Sequence, residues 1–215
     1  SVRVNPNIDA HVDHHVATGL GDSKFGVKLT DVIALYQKAA ELKEIEIEGI
    51  SCHIGSLVES TAPYMSEIEV LSVFVNELLD RGIALKHFDI GGGAGVAYKA
   101  DEKTLEPSEL IPAVVAQIRS LVKIPDIEIL IEPGRSIIAQ AGVLLTRVEY
   151  LKSGLFERNF CVVDASMTEL VRPAMYGSHH EIEPVSPRSD IEAERLNIVG
   201  GVCESSDILG SDREL

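Results

Sequence analysis

The chain has 215 residues, 45% of them hydrophobic, which is enough to bury a sizeable core in one or two domains. Nineteen basic residues stand against 34 acidic ones, and the formal net charge of −15 argues against partnership with nucleic acid or an anionic membrane surface. With no apolar run of membrane-spanning length, no signal-like segment at its start, and only Cys52, Cys161 and Cys203 scattered along it, the chain reads as cytoplasmic and free of a disulfide framework.

Thr30 is placed to cap a helix whose Val32, Ile33, Leu35, Tyr36, Ala39, Ala40 and Leu42 follow the spacing of one apolar face. Residues 45–54 then read as a strand. A second helix is expected from about Tyr64 to Arg81, burying Met65, Ile68, Leu71, Phe74, Val75 and Leu78 and stopped by Gly82. The apolar run 84–90 forms the next strand and ends in Asp89-Ile90-Gly91-Gly92-Gly93. Glu106-Pro107-Ser108 opens a helix through Leu110, Val114, Ile118 and Leu121, and residues 127–131 give another strand. Strands alternating with helices require a parallel sheet, and four such strands make about half of a (β/α)8 TIM barrel. Beyond Ala141 the pattern becomes mainly β, over 142–151, 160–164 and 196–203, without amphipathic helices between them. A boundary is therefore placed there, with residues 1–140 as half a barrel and 141–215 as part of a β-rich domain.

Polar words cluster where strands should end: Lys24-Phe25-Gly26, His53-Ile54-Gly55-Ser56, the Asp89 glycine run, and Glu132-Pro133-Gly134-Arg135. The carboxyl ends of barrel strands form the rim that carries chemistry. A glycine run in that position lets consecutive amides close on an anion, although the same run also serves as a plain tight turn. Glu132 is a strand-end carboxylate that can accept a hydrogen bond in a pocket or simply open a Pro-Gly turn at the surface, and Arg135 offers a planar fork to a phosphate or carboxylate. Arg172 and Tyr176, four residues apart, can share one face of a helical turn.

Taken in order with Thr18-Gly19, Arg172-Pro173-Ala174-Met175-Tyr176-Gly177 and Cys203-Glu204-Ser205, these words resemble the fold-type-III, alanine-racemase-like pyridoxal-phosphate decarboxylases across nearly the whole chain. The likeness is greatest to the diaminopimelate branch of that family. It implies decarboxylation of meso-2,6-diaminopimelate to L-lysine, the last step of lysine biosynthesis, with pyridoxal 5′-phosphate as cofactor. By resemblance, His53 lies against the cofactor ring, Ser56 with Gly91, Gly92 and Gly93 binds its phosphate, and Glu132 holds its nitrogen protonated. Arg135 is used near both phosphate and substrate, Arg172 and Tyr176 take the carboxylate at the non-reacting end, and Glu204 beside Ser205 pairs with the distal ammonium. Cys203 enters the active site of a partner subunit, which implies a homodimer with shared sites. His11, His14 and His15 with Asp13 fall in a loop of the resembled family without structural-zinc spacing, so no metal is expected there.

Four departures stand out. Leu57 and Ala94 replace a common glutamine and leucine, and Ser206 stands where the family usually has glycine, a strained choice if that position needs a positive φ. No word carries the lysine that binds the cofactor covalently, because Lys24, Lys28, Lys86 and Lys99 lie in other contexts. The chain therefore reads as an internal fragment lacking both ends. Decarboxylation of a related amino acid (carboxynorspermidine, D-ornithine, D-lysine or ornithine) or a catalytically silent binding role are the alternatives.

Overall fold

The computed structural model describes residues 1–10, 12, 17–21, 23–99, 101–155, 158–187, 190 and 192–215; the His11, Asp13, His14 and His15 group lies outside them. It divides into two compact units, one of Ser1–Val96 with Lys103–Gly142, the other of Ala97–Glu102 with Val143–Leu215.

The first unit is built on five parallel strands: β1 (Val2–Asn5), β2 (Val27–Lys28), β3 (Gly49–Ser51), β4 (His87–Asp89) and β5 (Glu128–Leu130), in the order β2-β1-β3-β4-β5. Helices α1 (Val32–Ala40), α2 (Ala62–Asp80) and α3 (Pro107–Leu121) connect them, giving the repeated strand-helix wall of a partial barrel. The strands are short and alternate apolar with polar residues, as in Val2-Arg3-Val4-Asn5 of β1 and His87-Phe88-Asp89 of β4, so their apolar positions share a face. Ile50, Phe88, Ile90 and Ile127 are almost fully buried against Ile68, Leu71, Val75 and Leu78 of α2 and Leu110, Val114 and Ile118 of α3. One side chain fastens the two helices: Asn76 donates to Leu121 O at 2.8 Å and accepts the Lys123 amide at 2.8 Å, closing the free end of α3 on α2.

The differences from the sequence reading are local. The strands expected over 45–54 and 84–90 are in regular register only at Gly49–Ser51 and His87–Asp89, and single main-chain bonds such as Cys52 N–H to Asp89 O continue the contact toward the rim. Thr30 caps no helix. It sits in the short 3-10 turn Leu29–Asp31 and donates to Asp31 Oδ1, while α1 starts without a side-chain cap. Only Val32 and Tyr36 of α1 are buried; Leu35 and Leu42 are exposed, as is Leu121 of α3. Lys24-Phe25-Gly26 leads into β2 rather than leaving a strand, and the Arg3 guanidinium lies 4.7 Å from the Phe25 ring. A short helix not anticipated from the sequence, α4 (Arg135–Ile138), follows β5.

The second unit has a four-stranded sheet in the order β6-β7-β8-β9, formed by Val148–Lys152, Asn159–Val163, Arg195–Val199 and Ile208–Glu214. The β7 and β8 strands run parallel and the two outer pairs antiparallel. Cys161, Val163, Leu196, Ile198 and Leu209 alternate inward to make its core. The strand expected to run through residue 203 ends at Val199, and β9 had no counterpart in the sequence reading. Helix α5 (Arg172–Tyr176) is the turn anticipated for Arg172 and Tyr176.

Candidate functional site

Parallel pairing of β3, β4 and β5 puts their carboxyl ends side by side, and the chain leaving each one carries a candidate residue. His53 follows β3, the glycine run follows β4, and Glu132 follows β5. The main chain ties these three exits together. Cys52 N–H donates to Asp89 O at 3.0 Å, Ile90 N–H to Leu130 O at 3.2 Å, and Glu132 N–H to Gly91 O at 2.7 Å. Val58 N–H reaches Gly93 O at 2.9 Å, which brings the loop carrying Ser56 onto the glycines.

The contacts within the glycine run sort its amides by use. Gly91 N–H is donated to the buried Asp89 carboxylate at 2.8 Å, and Gly92 N–H to His53 Nδ1 at 3.2 Å. Gly93 N–H meets no acceptor among the described residues, so of the three glycines expected to bind phosphate only Gly93 has its amide to offer. The others shape the turn. A Cβ on Gly92 would lie 1.9 Å from Glu132 O, and one on Gly93, at φ +97°, 1.8 Å from Gly55 O. Only bare backbone fits between these strand exits.

His53 is half-buried, with its carbonyl held by Thr18 Oγ1 at 2.7 Å. Accepting at Nδ1 places the proton of a neutral imidazole on Nε2. Burial and then the Arg3 guanidinium push its pKa below the usual histidine range against the opposing pull of Asp89, which favours that neutral form. Ser56 and Arg135 are half-buried, and Glu132 is exposed. Arg135 opens α4 one residue after Gly134.

Behind the glycines are residues that the sequence reading passed over. Tyr64, almost fully buried on α2, donates to Gly92 O at 3.0 Å and fixes the run from the helix side. A tyrosine on an apolar helix face was the signal, because its hydroxyl must find a partner when buried. Glu67, one turn along α2, is completely buried, and neither carboxylate oxygen has a hydrogen-bond partner of ordinary geometry. Burial pushes its carboxyl well above the usual range, with the nearby Cys52 thiol acting against that shift and Asp89 adding to it. Cys52 is itself pushed up by burial and by Glu67. A cavity of about 80 Å³ also opens here, lined by the glycines with Tyr64, Leu110, Ile111, Ile131 and Pro133; His53, Ser56 and Glu132 do not line it.

The remaining candidates belong to the second unit. The Arg172 guanidinium lies 5.1 Å from the Tyr176 ring centre and 5.7 Å from that of Tyr98, and it donates to Ser178 Oγ at 3.2 Å. A cation and a phenol are thus presented together, as their spacing suggested. Gly177, at φ +60°, ends this turn in the left-handed conformation. Cys203, Glu204 and Ser205 lie on an exposed turn between β8 and β9. The foot of that turn is the buried Asp207, whose carboxylate accepts Met167 N–H at 2.6 Å and Val202 N–H at 2.9 Å. Cys203 is exposed, whereas Cys52 and Cys161 are buried.

Comparison with known proteins fits this geometry. Residues 1–139 match the family described as pyridoxal-dependent decarboxylase, pyridoxal binding domain. Over 215 residues the chain is 41% identical to diaminopimelate decarboxylase of Pseudomonas aeruginosa and of Vibrio cholerae, covering 100% of this chain and 50% of each relative. The chain therefore spans about half the length of the curated relatives it matches. Among solved structures, diaminopimelate decarboxylase from Helicobacter pylori complexed with L-lysine superposes with a TM-score of 0.89 at 34% identity, over 99% of this chain and 51% of that one. The fold is thus that of barrel-containing pyridoxal-phosphate decarboxylases followed by a β domain. No helix among the described residues is long and apolar enough to cross a membrane.

Proposed function

The chain belongs to the pyridoxal-dependent decarboxylases, and on that premise we propose that the complete protein converts meso-2,6-diaminopimelate to L-lysine and CO2 with pyridoxal 5′-phosphate. The observation that carries this reading is the juxtaposition of His53, the glycine run and Glu132 at the exits of three adjacent parallel strands. The residues present fit the cofactor's phosphate: the Gly93 amide meets no acceptor among the described residues and remains for an anion, and the half-buried Ser56 lies on the loop that Val58 ties to Gly93. When bound, pyridoxal phosphate supplies a ring that accepts the electron pair left behind as CO2 departs.

The chain's own residues divide the rest of the work. Gly93 N–H and the Ser56 hydroxyl bind the phosphate, while Gly91 and Gly92 hold the loop in shape. Glu132 keeps a proton at the pyridine nitrogen, and His53 presents a neutral ring whose orientation is set by the Gly92 amide. Arg135 serves phosphate or substrate carboxylate through its planar fork. Arg172 with Tyr176 clamps the carboxylate at the non-reacting end, and Glu204, supported by Ser205, pairs with the distal ammonium. Cys203 acts in the partner subunit of a homodimer, delivering a proton to the product carbon. The location is the cytoplasm.

The full-length protein, supplied with pyridoxal phosphate and assayed separately on meso-diaminopimelate, L-ornithine and L-arginine, is expected to release CO2 with L-lysine from the first and little CO2 from the others. Robust turnover of ornithine or arginine with none of diaminopimelate would overturn the reading.

A further inference from the structure

A serine at position 206, where the resembled motif usually has glycine, looks at first like a defect. The structure removes that objection, because the only non-glycine residues with positive φ among those described are Asn7, Leu57 and Asp212. Ser206 is half-buried and sits in an ordinary backbone conformation. What it adds is a donor. Ser206 Oγ, Ser206 N–H and Ser205 Oγ all converge on one oxygen of Glu204, Oε1, each at 3.3 Å.

We infer that Ser206 is a positioning residue that fixes the Glu204 carboxylate so that its other oxygen, Oε2, faces the substrate's distal ammonium. The inference rests on the reading of Glu204 given above. An exposed glutamate samples many rotamers, and ordering it when a ligand arrives weakens binding. Each of these contacts is long, but three donors on one oxygen select one orientation before the ligand arrives, and glycine would supply only the amide. The same donors hold the Glu204 carboxyl below the usual range and keep it charged. The turn does not depend on Ser206 for its own shape, since Asp207 anchors it through Met167 and Val202. Removing the hydroxyl should therefore disturb the carboxylate and leave the loop in place.

The test uses the full-length holoenzyme with two probes that differ only at the ammonium in question, L-lysine and 6-aminohexanoate, as competitive inhibitors. Ser206→Ala is expected to raise KM for meso-diaminopimelate and Ki for L-lysine by about three- to tenfold with kcat little changed, and to leave Ki for 6-aminohexanoate where it was. Ser206→Thr, which keeps the hydroxyl, should restore the parent values. A general loosening of the loop would instead raise both inhibition constants together, and that result, or no change in either, overturns the inference. Glu204→Gln separates this failure from that of its premise: it should abolish the preference for L-lysine over 6-aminohexanoate. If the preference survives Glu204→Gln, the assignment of Glu204 falls and Ser206 with it. If Glu204→Gln abolishes it and Ser206→Ala does not reduce it, the role of Ser206 alone is refuted.

Discussion

The two regions that carry candidate residues are held in opposite ways. At the rim of the parallel sheet, shape comes from main chain: three strand exits hydrogen-bond one another, and glycines pass where no side chain fits. In the turn that presents Glu204, shape comes from side chains, with one buried carboxylate at its foot and hydroxyls at its tip. A site made of main chain tolerates almost no added atom, while a site made of side chains can be retuned one hydroxyl at a time. A rigid rim suits a cofactor that stays; an adjustable turn suits the selection of a substrate.

That contrast can be broken most severely at Gly93. Gly93→Ala combines a φ of +97° with a Cβ 1.8 Å from a backbone carbonyl oxygen, so strands must separate; a loss of roughly 3 kcal/mol or more and loss of cofactor binding are expected. Urea unfolding and absorbance titration with pyridoxal phosphate measure the two. A variant that folded and bound as the parent would show the rim to be far softer than its contacts imply. Next in size is Asp207→Ala, which strands the amides of Met167 and Val202 and should cost about 2–3 kcal/mol. Here the expected pattern is reversed: affinity for diaminopimelate falls while pyridoxal phosphate still binds. If cofactor binding were lost as well, the two regions would not be separable as described.

Glu67 sharpens the comparison from beneath the rim. Its pKa is raised in the folded state, so the native protein keeps a proton that the unfolded chain gives up above the ordinary carboxyl pKa of about 4.3. The contribution is fully present below that pH and is lost as pH rises toward the folded pKa, at up to about 1.4 kcal/mol per pH unit. Glu67→Gln removes the titration. The stability difference between variant and parent should grow in favour of the variant from about pH 5 to about pH 7. Equal pH dependence for the two proteins would show that Glu67 finds a compensating partner.

Much of this was legible in the sequence, and the residues show why. The apolar spacing of Ile68, Leu71, Val75 and Leu78, and of Leu110, Val114 and Ile118, marked α2 and α3 because a helix packed on a sheet must bury one stripe. The strand over 45–54 was overrun at its start because apolar residues such as Ile45 and Ile47 precede the first paired position, Gly49, and pairing is a property of the neighbour. The strand β9 was invisible for the same reason: Gly210, Ser211, Asp212, Arg213 and Glu214 have no strand signature, and β8 imposes one on them. The motif words marked the loops that carry the candidate residues, but could not tell which glycine amide stays unspent or that Ser206 turns its hydroxyl on Glu204. Glu67 was hidden because a glutamate in a helix normally reads as solvent-facing.

The smallest expected effect gives the cleanest separation of fold from function. Tyr36 and Tyr64 are both almost fully buried on helices, and each donates its hydroxyl to a glycine carbonyl, Tyr36 to Gly49 at 2.5 Å and Tyr64 to Gly92 at 3.0 Å. Burial pushes the Tyr36 hydroxyl up to about 12 and the Tyr64 hydroxyl higher still, so both remain donors through the neutral range. Gly49 begins β3, whereas Gly92 lies beyond the end of β4, so the two bonds sit at opposite ends of the strands. Phenylalanine at either position removes one hydrogen bond without opening a cavity and should cost about 1 kcal/mol of stability. Only Tyr64→Phe releases the carbonyl of the residue whose amide orients His53, so only that variant should bind pyridoxal phosphate more weakly, by about three- to tenfold. Equal losses of cofactor affinity in both variants would mean that the rim responds to global stability rather than to its own hydrogen bonds.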